Sequence, residues 1–234
     1  MLLPFYRLYP KLLQNLIWVP TRLIFKFFTH LKIGGLVNLN QLSPGVIFAV
    51  NHASELDSIF LPASLPFLSR FSPMFYTSRE REFYKTSGWR QFFYGGLFFK
   101  LWGAYPVVPG IKNRDLSLTS HIQIIKDGGS VCIFPEGKKT KDGKLRTPQT
   151  GVSYLSWKTG APVVPVAING LFKIGLAGFF SRRQRVIILF GRPLFPTDLF
   201  TREEVSRLRT EFYPDCKPAA DRVMKQIADL LKLP

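Results

Sequence analysis

Two short stretches carry residue types that can do chemistry together. The first is Asn51-His52-Ala53-Ser54-Glu55-Leu56-Asp57, directly after an apolar run at residues 45–50 (GVIFAV) that reads as a buried strand. Such a strand delivers His52 to its carboxyl end, where ligands gather in open α/β sheets. An imidazole titrates near neutral pH and can take the proton of a hydroxyl. A carboxylate on its other ring nitrogen fixes the tautomer and supports the imidazolium that forms. Five residues of regular helix would set His52 and Asp57 about 140° apart. The pair therefore needs His52 before a helix, with Asp57 in the first turn bending back. The bare spacing is a weak signal: His52 also fits a surface or capping histidine, and Asp57 a carboxylate favoured at a helix start.

The second stretch is Phe134-Pro135-Glu136-Gly137, at the end of another apolar run (residues 130–134) and followed by Lys138, Lys139, Lys141, Lys144 and Arg146. Cations and backbone donors are what a phosphorylated headgroup needs. Among them, Glu136 either holds the hydroxyls of an acceptor or orders the cations. Lys141, Lys144 and Arg146 read as a solvated basic loop. Backbone amides near His52 or Gly137 are the candidates for stabilising an oxyanion. Ser54 stands close to His52 but lacks a nucleophile elbow, so it is disfavoured as a covalent nucleophile. Cys132 lies inside an apolar strand, where burial raises a thiol pKa. It and Cys216 are isolated thiols, with neither a disulfide framework nor a metal site. His30 and His121 lack ligand spacing and read as ordinary histidines.

The elements that must position these residues alternate. Strands are expected at residues 45–50, 74–77, 104–108, 130–134, 163–168 and 186–190, and helices at 116–126 and 150–158. Residues 201–231 are helix-prone, open on Thr201 with Glu203 and Glu204, and are divided by Pro214 and Pro218. Strands alternating with helices predict an α/β fold: a single domain with a mostly parallel mixed sheet flanked by helices.

The chain has 234 residues, enough for one sizeable core, and 46% are hydrophobic against 20% charged. Aromatics reach 15%, including 22 Phe, and the net charge is +17. Such a charge attracts polyanions, nucleic acid or anionic lipid. The aromatic content favours lipid, and no zinc-finger spacing, RNP-like motif or basic heptad supports nucleic acid. Residues 1–35 hold five cations, and no acid precedes Glu55. The charges interrupt the apolar residues too often for a spanning helix, and no signal-peptide pattern is present. Basic residues mixed with Leu, Phe and Trp18 instead predict an N-terminal amphipathic helical membrane-binding segment, with Pro20 breaking or starting a helix. The alternative is a helical hairpin that only packs on the domain. Residues 88–103 are Phe-rich and basic and fit core or lipid contact equally. Residues 171–185, ending in Arg182, Arg183 and Arg185, read as a loop resting on anionic headgroups. The expected organisation is an interfacial segment at 1–35 and a catalytic domain at 36–234.

Taken together the two motifs are far more specific than either alone. At this point the sequence resembles the lysophosphatidic acid acyltransferase family (1-acylglycerol-3-phosphate O-acyltransferase, PlsC type) over residues 45–193. Asn51-His52 with Asp57 matches its NHxxxxD motif, Phe134-Pro135-Glu136-Gly137 its FPEG motif, and Val164-Pro165-Val166-Ala167-Ile168 its late VPV-type strand. The resemblance implies catalysis by His52 and Asp57 with neither a metal nor a cofactor. It implies acyl-CoA or acyl-carrier protein as cosubstrate, a lysophospholipid acceptor, and acceptor contacts from the loop of Glu136, Gly137, Lys138 and Lys139. Two departures fall on the phosphate site. Pro109 stands where the family's second motif has an arginine, with Lys112 or Arg114 as replacements from a shifted position. Lys138-Lys139-Thr140 stands where Thr-Arg-Ser is usual, keeping charge but losing the planar fork that grips phosphate. The expected setting is a monotopic, bacterial-type enzyme on the anionic cytoplasmic face of the inner membrane. The rivals are an acyltransferase for another lysolipid, a non-catalytic membrane-binding protein and a basic nucleic-acid binder.

Overall fold

The computed structural model describes residues 5–78, 97–107, 114–207 and 214–233. Seven strands form one sheet: β1 (Lys32–Gly34), β2 (Ile47–Val50), β3 (Met74–Ser78), β4 (Ala104–Pro106), β5 (Ser130–Ile133), β6 (Val163–Asn169) and β7 (Ile187–Phe190). Their order is β1-β7-β6-β2-β5-β3-β4. Every pairing is parallel except β6 with β7. The mostly parallel α/β sheet expected from the alternating pattern is the one observed. β1 was not among the expected strands, because three residues are too few to show a period. The sheet thus begins inside the segment (residues 1–35) read as purely helical. Residues 108–113, which include Pro109 and Lys112, lie outside the described part, as does most of 88–103.

The central strands are buried on both faces, which is why they read as unbroken apolar runs. Ile47, Ala49, Val131 and Ile133 face one helical layer, while Val46, Phe48, Val50 and Cys132 face the other. The first layer holds α4 (Arg114–Lys126), α5 (Gly151–Thr159) and α9 (Cys216–Leu231). The second holds α1 (Leu8–Thr29) and α2 (Asp57–Ser64), with α3 (Leu97–Trp102) against α1. Shorter helices follow at α6 (Leu176–Phe180), α7 (Pro196–Leu199) and α8 (Arg202–Ser206).

Two prolines behave differently from expectation. Pro20 lies inside α1, which runs on without a break. Proline deprives the carbonyl four residues earlier of its partner. Here that residue is Leu16, on the outward face of the helix, where water can serve the carbonyl. Pro218 lies in the first turn of α9, where backbone N–H groups have no intrahelical partner to lose. It therefore joins the helix instead of dividing it.

α1 is latched to the domain by polar side chains. Gln14 is buried; its Nε2 donates to the carbonyls of Met74 and Trp102, and its Oε1 accepts from the Met74 N–H, each at 2.8 Å. Trp18 Nε1 donates to the Leu65 carbonyl at 3.1 Å and Arg22 to that of Ala63 at 2.6 Å. Phe25 stacks on Phe60 of α2.

Candidate active site

β2 ends at Val50, and the next residue pins it to its neighbour. Asn51 is buried; its Nδ2 donates to the Ile168 carbonyl at 2.9 Å and its Oδ1 accepts from the Ile168 N–H at 2.7 Å. β2 and β6 are thereby held in register where His52 leaves the sheet. The chain then turns into α2, whose first residue is Asp57. This is the arrangement that the five-residue spacing requires.

Asp57 is fully buried, and its Oδ2 is the hub of the turn. It accepts hydrogen bonds from His52 Nδ1 at 2.9 Å, the Ala53 N–H at 2.8 Å and the Ser54 N–H at 2.9 Å. A carboxylate only accepts, so Nδ1 is the donor, and in the neutral ring Nε2 is the free acceptor. The His52 side chain is 20% exposed while that of Asp57 is 0% exposed, so the ring can meet a substrate and its partner cannot. The second carboxylate oxygen, Oδ1, is buried with no hydrogen-bond partner among the described residues.

The loop after β5 closes over the other side of His52. The Phe134 ring stacks on the imidazole, with centroids 4.0 Å apart and planes 16° from parallel. Glu136 is buried; Oε1 accepts from the His52 N–H and Oε2 from the Arg146 N–H, both at 2.8 Å. The Thr140 N–H donates to the His52 carbonyl at 2.9 Å. Ring, N–H and carbonyl of His52 are all held by this one loop. The loop can turn so tightly because Gly137 sits at φ 67°, a left-handed conformation natural to glycine. Its N–H closes the turn on the Phe134 carbonyl at 2.9 Å.

The candidate substrate residues divide accordingly. Glu136 was expected to hold acceptor hydroxyls or order cations; both of its oxygens are instead engaged by backbone amides. A buried carboxylate needs donors, and these N–H groups supply them. Gly137, Lys138 and Lys139 are exposed beside the His52 loop. Lys139 Nζ reaches Glu55 Oε1 at 2.8 Å, a pair about half exposed on each side. Arg114 has its guanidinium 5.7 Å from the ring centroid of Tyr154, a residue of the helical layer opposite α2. The amides expected to stabilise an oxyanion are also largely spent. Those of Ala53 and Ser54 serve Asp57, that of His52 serves Glu136, and that of Gly137 serves its own turn.

Burial pushes the Cys132 thiol well up, and the nearby Asp57 charge adds to this. The Cys216 thiol is pushed up to about 11, mainly by burial. Neither is an activated nucleophile. The roles of Asn51, Phe134 and Thr140 escaped the sequence reading. Asn51 and Phe134 were signalled only by membership of the two motifs and Thr140 only by following the second, because each acts through a partner distant in sequence.

The arrangement can hold a neutral imidazole by its Nδ1, ring face and backbone while offering Nε2 to a hydroxyl, which is general-base chemistry. The acyltransferase family profile matches residues 30–169. A chloroplastic 1-acyl-sn-glycerol-3-phosphate acyltransferase of Brassica napus is 30% identical over 174 residues, covering 72% of this chain and 46% of that protein. A chloroplastic enzyme of the same description from Arabidopsis thaliana is 30% identical over 168 residues, covering 69% of this chain and 43% of that one. The chain thus spans less than half the length of these relatives. The crystal structure of the 1-acyl-sn-glycerophosphate acyltransferase PlsC from Thermotoga maritima shares the fold. Its TM-score is 0.60 at 19% identity, covering 94% of this chain and 82% of that one. With both motifs meeting in one buried hydrogen-bonded group, and the family profile matching more than half its length, the chain belongs to the acyltransferase family.

Proposed function

We propose that the protein transfers a fatty acyl group from a thioester donor, acyl-CoA or acyl-carrier protein, to the free hydroxyl of a lysophospholipid. The acceptor we favour is 1-acylglycerol-3-phosphate, giving phosphatidic acid. The observation that carries the reading is the 2.9 Å bond from His52 Nδ1 to the buried Asp57, which makes Nε2 the acceptor of the neutral ring. The two relatives described as 1-acyl-sn-glycerol-3-phosphate acyltransferases support the choice of acceptor.

In this mechanism Nε2 takes the hydroxyl proton as the lipid oxygen attacks the thioester carbonyl. Asp57 steadies the imidazolium. The carbon–sulfur bond then breaks, and the imidazolium returns its proton to the leaving thiolate. No cofactor enters the proposed step. Lys138 and Lys139 lie where they can attract the acceptor's phosphate, as point charges rather than as a fork. The proposed setting is a monotopic enzyme on the cytoplasmic face of the inner membrane, where acyl donors are made. No helix among the described residues is long and apolar enough to cross a membrane.

The test is transfer of labelled oleoyl-CoA to lysophosphatidic acid in anionic vesicles, beside the His52→Ala variant. Product from the parent and a loss of about 10⁴-fold in the folded variant are expected. A folded variant with near-normal turnover would sink the mechanism. Turnover only with another lysolipid in an acceptor panel would replace the proposed acceptor.

A further inference from the structure

Four carboxylates belong to the two loops around His52, residues 51–57 and 134–146, and they differ in what they hold. Asp57 is buried and serves His52 Nδ1 and the amides of Ala53 and Ser54. Glu136 is buried and serves the amides of His52 and Arg146. Asp142 closes its own turn, with Oδ1 accepting from Thr140 Oγ1 at 3.0 Å and from the Lys144 N–H at 3.1 Å. Glu55 instead meets a side-chain cation: Lys139 Nζ donates to its Oε1 at 2.8 Å, and both side chains are about half exposed.

Both members of this pair are placed by the contacts that fix His52. Glu55 lies in the turn closed by the bond from the Ser54 N–H to Asp57, and its carbonyl accepts from Ser58 Oγ at 3.1 Å. Lys139 directly precedes Thr140, whose N–H is bound to the His52 carbonyl. An ammonium and a carboxylate, 84 residues apart in the chain, therefore stand together beside the histidine. A phosphate placed on Lys139 takes that cation from Glu55. If the headgroup ends at the phosphate, the Glu55 carboxylate is left facing a dianion, which repels it. If the headgroup carries an ammonium beyond the phosphate, both partners are exchanged at once: phosphate on Lys139, ammonium on Glu55. Lys138, exposed on the same loop, stays available to the phosphate in either case.

We infer that Glu55 is a specificity-determining residue that forms, with Lys139, a two-charge subsite for zwitterionic headgroups, so that amine-bearing lysophospholipids are a second class of acceptor beside 1-acylglycerol-3-phosphate. Specificity is a difference of affinities, and Glu55 acts on both sides of it: it repels the bare dianion and attracts the ammonium. The inference rests on the proposed acyl transfer to a lysophospholipid at His52. The contrary view is that the pair only clips two loops together, as exposed ion pairs commonly do to little effect.

The test compares three short-chain, monomeric acceptors: lysophosphatidic acid, lysophosphatidylglycerol and lysophosphatidylethanolamine. Initial rates are measured for the parent, Glu55→Gln and Glu55→Asp, with folding checked by circular dichroism. The parent should acylate the first and the third. An exposed charge contact counts for at most about fivefold. In Glu55→Gln, kcat/KM should therefore fall about fivefold for lysophosphatidylethanolamine and rise about twofold to threefold for lysophosphatidic acid, moving their ratio by roughly tenfold. Lysophosphatidylglycerol, a single negative charge with no amine, should gain less than lysophosphatidic acid. The changes should lie in KM, with kcat kept, and Glu55→Asp should restore the parent's order. An equal change for all three acceptors, no change, or a parent that acylates lysophosphatidic acid but never lysophosphatidylethanolamine would overturn the inference. If the parent acylated none of them, the proposed reaction would fail. Calorimetric binding of the same monomeric lipids to the parent and Glu55→Gln would then still decide the subsite, by the presence or absence of the same shift in their order.

Discussion

Two histidines show what distinguishes a candidate catalytic position from a core position. His52 stands at the end of β2 with a carboxylate on Nδ1, an aromatic ring on its face and backbone bonds on both sides. His121 lies in the middle of α4, fully buried, with Nε2 donating weakly to the Tyr76 carbonyl at 3.3 Å. Its Nδ1 has no hydrogen-bond partner among the described residues. Burial pushes the His121 pKa down to about 4, so it stays neutral across the physiological range. One imidazole has a charge waiting to support its protonated form, and the other has only apolar surroundings that oppose it. The difference teaches that the acid–base role lies in the partner and in access to solvent, and the ring alone confers neither.

That contrast can be broken in four ways. The largest effect is expected for Asp57→Asn, which replaces the acceptor on His52 Nδ1 with an amide that can impose the wrong tautomer. Turnover should fall about 10³-fold or more with the fold intact. A folded variant within tenfold of the parent would show that Asp57 does not set the tautomer.

The second concerns His121 and the pH dependence of stability. Its folded pKa, about 4, lies below the unfolded value near 6.5. As pH falls through 6.5 the unfolded chain binds a proton that the native chain refuses until about pH 4. Stability is therefore lost with acidification over that window, by roughly 3 kcal/mol from this group. In chemical denaturation between pH 7 and 4, His121→Leu should show a shallower pH slope. An unchanged slope would mean that His121 is not held neutral.

Third, Glu136→Gln puts an amide donor against one of the two backbone N–H groups that the carboxylate now satisfies. A fall in turnover of about 10- to 100-fold is expected, with about 1–3 kcal/mol of stability lost. Since the side chain acts through His52, the deficit should appear in kcat more than in the KM for the acceptor. A pure KM effect would return Glu136 to direct acceptor binding. The smallest effect is expected for Lys139→Gln, whose exposed pair with Glu55 contributes under about 1 kcal/mol. Stability should be unchanged and the acceptor KM raised a few-fold, measured with lysophosphatidic acid at fixed ionic strength.

Several features were legible in the sequence for simple reasons. The strands of the sheet centre show as apolar runs because helices cover both their faces. The placement of His52 before a helix and Asp57 at its start followed from the angle that regular helix would impose. The backbone partners of Glu136 were not legible, because a carboxylate among lysines suggests ion pairing. In the fold its donors are the backbone amides of His52, from another strand–helix connection, and of Arg146. Arg114 was a candidate by charge and proximity in sequence, yet the helix it opens packs in the layer opposite α2. Pro20 reads as a helix breaker, and only its position on the solvent face of α1 makes it tolerable.

By itself, then, the sequence determined the alternating α/β pattern, the pairing of His52 with Asp57, and the excess of cations with aromatic residues. These depend on local spacing and composition, which a linear chain records directly. The tertiary structure alone decided that Phe134, Glu136 and Thr140 enclose His52, that Asn51 locks β2 to β6, and that Lys139 meets Glu55. Each of these contacts joins residues far apart in the chain, and their meeting depends on strand order and direction, which no local pattern encodes.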